Sequence, residues 1–139
     1  MTHAPNLWYC DHIHIYVRDR NAAEKWYRDV LGLRRLKDYE FWAEQDGGPL
    51  MIGHSNDSIK LALFQSELSS PKSTVAFRVD GAGFLAWRYR LESLLPNHPT
   101  IEDHAVSWSL YFSDPDANTF EITTYDYHSV KVETLRATK

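Results

Sequence analysis

Residues 11–19 read DHIHIYVRD. The stretch alternates strictly: in an extended chain His12, His14 and Tyr16 point one way, while Ile13, Ile15 and Val17 point the other. The apolar set can seal a core, and the polar set can line a face where a metal or small ligand sits. The pattern returns over residues 73–79, STVAFRV, 62 residues further on. There Thr74, Ala76 and Arg78 take the polar places, and Val75, Phe77 and Val79 the apolar ones. The chain therefore reads as a duplication.

Each strand is followed by a helical pattern. Asn21 is a candidate N-cap for a helix over residues 22–31, AAEKWYRDVL, with Ala23, Trp26, Tyr27 and Val30 or Leu31 forming one apolar stripe and Gly32 ending it. Leu33–Gln45 reads as extended, with Tyr39, Phe41 and Ala43 alternating against Glu40, Trp42 and Glu44. A DGGP turn at 46–49 precedes strands at 50–54 and 59–64. In the second half a strand at 74–79, a turn at 80–83 and a helix over 84–95 are followed by strands near 100–104, 107–113 and 119–125. Tyr27 and Tyr89 stand 62 residues apart, as do Leu33 and Leu95. The prediction is an α+β fold: two tandem β-α-β-β-β modules forming a curved, partly open mixed sheet around a groove, with the helices outside. Module one spans about 10–65, a linker 66–72, module two 73–126 and a tail 127–139; its Val130, Val132 and Leu135 could cover an edge or a partner.

Composition narrows the function. The chain has 139 residues, a formal charge of −4 and one cysteine, Cys10. That predicts one domain, or two small fused modules sharing a core, with no basic patch for nucleic acid, no disulfide framework and no thiolate metal cage. No apolar run approaches the roughly 18 residues of a membrane span, and the N-terminus lacks a signal core. The expected location is cytoplasmic. No phosphate-cradling glycine motif points to a nucleotide. Five Trp, eight Tyr and six Phe suit a ligand cavity or subunit interface as well as a core.

Two motifs together resemble a known family. DHIHIYVRDRNAAEKWYRDVLGL supplies His12, Asp19, Trp26-Tyr27 and Leu31-Gly32-Leu33, and SLYFSDPDANTFEI supplies Tyr111, Phe112, Asp114, Pro115, Asn118 and Glu121, with Ala117 where glycine is usual. This is similar to the vicinal oxygen chelate superfamily, which includes glyoxalase I, bleomycin-resistance proteins, fosfomycin-resistance enzymes and extradiol dioxygenases. The resemblance covers about residues 10–126. It implies a homodimer and a divalent metal (Fe, Mn, Ni or Zn) held by a His on the first strand, a His opening the second module and a Glu on the last strand. Carried over, those positions are His12, Thr74 and Glu121. Thr74 is the departure, because a threonine hydroxyl is a poor ligand for a transition metal. His14, two residues from His12 on the same face, is a candidate substitute; His54 and His104 lie near strand ends.

Two readings follow. In the first, the chain is a metal-dependent lyase, isomerase or dioxygenase acting on a small oxygenated molecule. His12 and Glu121 would be ligands, Glu121 also the catalytic proton shuttle, and His14, Thr74, Arg78 and Tyr111 would contact substrate. In the second it is a metal-free protein that sequesters a small molecule, as the bleomycin-resistance branch implies. Each residue also has a plainer reading: His12 as a hydrogen-bonded wall, His14 as structural, Glu121 as a partner of Arg78, Arg78 as a partner of Glu121 or Asp80, Tyr111 as packing, and His104 as a solvated loop residue. Enzyme or binding protein is left open at this point.

Overall fold

The computed structural model describes residues 4–5, 9–56, 58–67 and 74–131. The chain divides into two compact units, residues 1–68 and 69–139. The boundary falls in the expected linker, most of which lies outside the described residues.

The first unit runs β1 (Ile13–Val17), α1 (Arg20–Trp26, continued as a π-helical turn Tyr27–Leu31), β2 (Arg34–Arg35), a 3-10 turn (Lys37–Tyr39), α2 (Glu40–Ala43), β3 (Leu50–Gly53) and β4 (Lys60–Gln65). Its four-stranded sheet has the order β1-β4-β3-β2, with β1 parallel to β4 and the other pairs antiparallel. A parallel pair needs a long crossover. Here the crossover includes α1, which turns Ala23, Tyr27, Val30 and Leu31 inward. Tyr27 is fully buried, as are Ile52, Leu61 and Leu63 on the sheet. Burying one such aliphatic or aromatic side chain contributes about 1.5–3 kcal/mol.

The helix begins at Asp19, not Asn21. Asp19 accepts the Ala22 N–H at 3.1 Å and Asn21 lies inside the first turn. Gly32 ends it in the left-handed region at φ 74, and Leu33 N–H reaches back to the Tyr27 carbonyl at 3.1 Å. Leu33–Gln45 is not extended as expected. Only Arg34–Arg35 pairs as a strand, because Tyr39 and Trp42 stack three residues apart, at 5.0 Å, on a helical turn. The Arg20 guanidinium clamps this segment by donating to the carbonyls of Gly48 at 2.9 Å and Ala43 at 3.0 Å.

The second unit repeats the plan with β5 (Thr74–Arg78), α3 (Gly81–Leu94), β6 (Thr100–Asp103), β7 (Trp108–Ser113) and β8 (Thr119–Thr124), in the sheet order β5-β8-β7-β6. Phe84 and Leu91 of α3 are fully buried, and so are Leu110 and Phe120 of the sheet. Residues 80–83 are not a separate turn. Asp80 caps α3 by accepting the Gly83 N–H at 2.8 Å, so the helix starts at Gly81. The caps Asp19 and Asp80 are 61 residues apart, while the strands keep the 62-residue spacing of Ile13 to Val75. One residue is missing from the second strand-to-helix link. The 62-residue pairing of Tyr27 with Tyr89 therefore fails in the helices: Tyr27 is 0% exposed and Tyr89 77%.

Residues 127–131 form a helical segment whose Val130 is buried beside Gly81. Asp126 fixes it by accepting the Gly81 N–H at 2.7 Å. Val132 and Leu135 lie outside the described residues. No described helix is long and apolar enough to cross a membrane.

Candidate functional site

Each sheet turns one face to its helix and leaves a second face bearing the predicted site residues. In the first unit β1 presents His14 and Tyr16, in register with Ala62 and Phe64 of β4. The His14 ring tilts against Phe64 at 4.7 Å, and Tyr16 stacks on the same ring at 5.6 Å. His12 lies one step before the strand. Its Nε2 is 3.2 Å from Nε2 of His14, and its Nδ1 is 2.8 Å from Asp11 Oδ2. Lys60 holds the other Asp11 oxygen at 3.1 Å. The His12 hydrogen bond and then the Lys60 ammonium keep the Asp11 carboxyl below its ordinary value.

In the second unit the register puts Ala76, Glu121 and Tyr111 side by side across β5, β8 and β7. Thr74, Arg78, Ser109 and Thr123 share that face. The fully buried Ser109 donates its hydroxyl to Glu121 Oε2 at 2.7 Å and lies 3.1 Å from Thr123 Oγ1. Tyr111 hydroxyl is 3.0 Å from Nε2 of His104. Burial, and then the negative charge of Glu121, push the Tyr111 phenol above its ordinary value. The phenol thus keeps its proton at neutral pH, and the carboxylate beside it is oriented by a buried hydroxyl.

Arg78 stacks over Tyr125 at 4.6 Å, and among the described residues no carboxylate forms an ion pair with it. Neither Glu121 nor Asp80 is its partner. His104, expected as a solvated loop residue, is exposed but bonded to Tyr111. Its position rests on a γ-turn, Val106 N–H to His104 carbonyl at 2.8 Å, with Ala105 at φ 70. His54 only ends the β3–β4 hairpin, through its backbone N–H to Ile59.

The SDPDAN stretch is structural. Asp114, buried, accepts from the backbone N–H groups of Asp116 and Asn118 and from the Asn118 side chain. This Asx-type knot sets the β7–β8 turn and thereby the register of Tyr111 with Glu121. A cavity of about 590 Å³ lies away from these groups, lined by Arg20, Glu44, Gln45, Asp46 and Gln65 among others. Its Arg20 is committed to the carbonyls of Gly48 and Ala43.

Against this geometry the chain can be placed. A family model matches residues 9–122, and the chain belongs to the Glyoxalase/Bleomycin resistance protein/Dioxygenase superfamily. No curated protein matches it. A glyoxalase/dioxygenase from Nostoc punctiforme is 25% identical, covering 90% of this chain and 97% of its own, with a TM-score of 0.67. A mutant of the fosfomycin resistance protein FosX from Listeria monocytogenes, in complex with Mn(II) and 1S,2S-dihydroxypropylphosphonic acid, is 13% identical, covering 86% and 93%, with a TM-score of 0.67. Oxidase ChaP-H1 is 22% identical, covering 85% and 96%, with a TM-score of 0.62. The fold is shared across different chemistries, so the activity has to be argued from the site.

The family's metal position can be tested on the residues present. Thr74 is exposed and brings a neutral hydroxyl where an imidazole is expected. Among the described residues no group of three or more His, Cys, Asp or Glu side chains converges for a metal. The inherited donor set of His12, Thr74 and Glu121 does not fit the ion.

Proposed function

We propose that the chain is an acid–base enzyme for a small oxygen-rich molecule, with its working groups on the polar face of β5, β7 and β8. The observation that supports this reading most is the adjacency of Glu121 and Tyr111: a carboxylate held by Ser109 next to a phenol that stays protonated. Glu121 is suited to accept a proton from a carbon or hydroxyl next to a carbonyl. Tyr111 is suited to donate a hydrogen bond to the oxyanion that then develops, with His104 behind it to replenish the proton. Arg78 offers a guanidinium for a carboxylate or phosphonate on the same molecule. Thr74 and His14 are further candidates for substrate contacts. A lyase or isomerase fits these groups directly. We further propose that the protein is dimeric, which sedimentation tests directly, and cytoplasmic, which cell fractionation tests.

A panel of small carboxylates and phosphonates, scored by thermal shift and then by proton NMR for turnover, tests the assignment. Arg78→Ala should weaken binding at least tenfold, and Glu121→Gln should keep binding while abolishing turnover. Binding that survives Arg78→Ala unchanged would overturn it. Thr74 favours a second reading, a metal-free binding protein that sequesters its ligand. In that case the ligand is recovered unaltered from the wild-type protein.

A further inference from the structure

We propose that Tyr127 and Asp103 are positioning residues for the site: from the opposite face of the second sheet they hold the turn that sets His104 against Tyr111. The use of that contact, a proton returned to Tyr111, rests on the reading above; the contact itself is geometry.

His104 needs something to hold it. Its imidazole belongs to an exposed residue, so packing does not fix the ring that meets the Tyr111 hydroxyl at 3.0 Å. The backbone fixes it instead. His104 N–H donates to the Ser107 carbonyl at 2.9 Å, and Val106 N–H donates to the His104 carbonyl at 2.8 Å. This turn closes with Ala105 at φ 70, a region that an alanine keeps only where its surroundings over-determine it. Asp103 supplies such a restraint, since its Oδ1 accepts the Ala105 N–H at 2.9 Å.

Asp103 is in turn held from a distance. It stands opposite Trp108 of β7, which stands opposite Thr124 of β8. Paired residues point the same way, so the three share the helix-side face, where Trp108 and Thr124 are buried. Beyond Thr124 the chain turns back over this row. Asp126 N–H donates to Thr124 Oγ1 at 3.2 Å, and the Tyr127 ring stacks on Trp108 at 5.6 Å. The Tyr127 hydroxyl thereby reaches past a whole strand and donates to the Asp103 carboxylate, 2.8 Å from Oδ1 and 3.0 Å from Oδ2. That bond raises the Tyr127 phenol above its ordinary value, so it remains a donor at neutral pH. Val130, buried against Gly81, and the Asp126 carboxylate on the Gly81 N–H anchor the segment to α3.

Asp103 and His104 are neighbours in the chain, so their side chains leave the sheet on opposite faces. A contact made on the helix side is therefore felt on the site side, through the short stretch of backbone between them. Residues 127–131 thus brace the acid of a site they do not touch.

Nitrogen-15 NMR of the ligand-free full chain at one fixed pH tests this. His104→Gln assigns the His104 Nε2 resonance, and Tyr111→Phe gives its position without the phenol. Tyr127→Phe keeps the ring on Trp108 and removes only the hydroxyl, so its far-ultraviolet dichroism should match wild type. Its His104 resonance should move at least halfway to the Tyr111→Phe position, and Asp103→Ala should move it as far or further. Ser129→Ala, whose hydroxyl reaches only the Asp126 carbonyl among the described residues, should leave it in place. Ala105→Gly combined with Tyr127→Phe should bring the resonance most of the way back, because glycine takes a positive φ without help. A purely structural role for Tyr127 gives no such rescue. An unmoved resonance in either Tyr127→Phe or Asp103→Ala, an equal shift in Ser129→Ala, or a failed rescue would overturn the proposal. No substrate enters these readouts, so they are decided separately from ligand binding by Arg78 and turnover by Glu121.

Discussion

His104 Nε2 and the Tyr111 hydroxyl lie 3.0 Å apart across the β6–β7 hairpin, and a γ-turn centred on Ala105 sets the imidazole there. The phenol is raised by burial first and by Glu121 second. A group bound more tightly to its proton in the folded state stabilises the fold below its unfolded value and loses that contribution as pH rises through the folded one. Tyr111 should therefore titrate above 10.0, and its ionisation should weaken the second unit in alkali. Glu121→Gln should bring that titration down, as read by phenolate absorbance against Tyr111→Phe. An unchanged titration would separate the two groups.

Beside His104, at the turn of the same hairpin, Asp103 behaves in the opposite sense. The Ala105 backbone N–H, then the Tyr127 hydroxyl, hold its carboxyl below 3.8. Its contribution is present above the ordinary carboxylate value and is lost as pH falls through the folded value. Tyr127 stacks on Trp108 at 5.6 Å, so the loss has an optical signature. Below about pH 4 the near-ultraviolet dichroism of Trp108 should change while far-ultraviolet signal persists, and Asp103→Asn should show that change already at neutral pH.

Two glycines mark close approaches of different hardness. A Cβ on Gly53 would meet the Ile59 carbonyl oxygen at 2.1 Å, backbone that leads directly into the paired strand β4. On Gly81 it would meet a methyl of the buried Val130 at 2.9 Å. Gly53→Ala should cost about 3 kcal/mol or more, and Gly81→Ala about 1–2 kcal/mol, because a side chain yields where a ladder does not. Chemical denaturation measures both, and the reverse order would contradict the packing of the tail on α3.

The strands were legible because alternation survives tertiary context: the apolar positions 13, 15 and 17 of β1 and 75 and 77 of β5 are less exposed than their neighbours. The helix starts were not. Asp19 and Asn21 are both capping types, and nothing local decides between them. The glycines at 81 and 83 read as a turn because their stabilising partner, Asp126, is 45 residues away. Aromatics over 39–43 alternate as a strand would, yet their spacing also permits the Tyr39–Trp42 stack that won. Of the candidate residues, His12, His14 and Arg78 were read from strand phase, and Tyr111 and Glu121 from the motif that resembles the family. His104 came from neither, since its value comes from a turn that folds it back onto Tyr111. The tight connection between the two strands was the available signal.

Ala117 is the plainest test of how the signature motif works. It sits at φ 66, a left-handed conformation that favours glycine, inside the knot that Asp114 and Asn118 make between β7 and β8. A left-handed alanine costs roughly 1–2 kcal/mol, and glycine there gives back about 0.4–1 kcal/mol through the unfolded chain. Ala117→Gly should thus raise stability by about 0.5–1 kcal/mol, the reverse of an ordinary alanine-to-glycine change. Asp114→Ala should lower it by about 2–3 kcal/mol, since it strips a buried Asn118 of its partners. It should also disturb the Tyr111 titration, because the knot fixes the register that places Tyr111 beside Glu121. If Asp114→Ala destabilised the unit while leaving that titration in place, the motif would hold the turn without positioning the site.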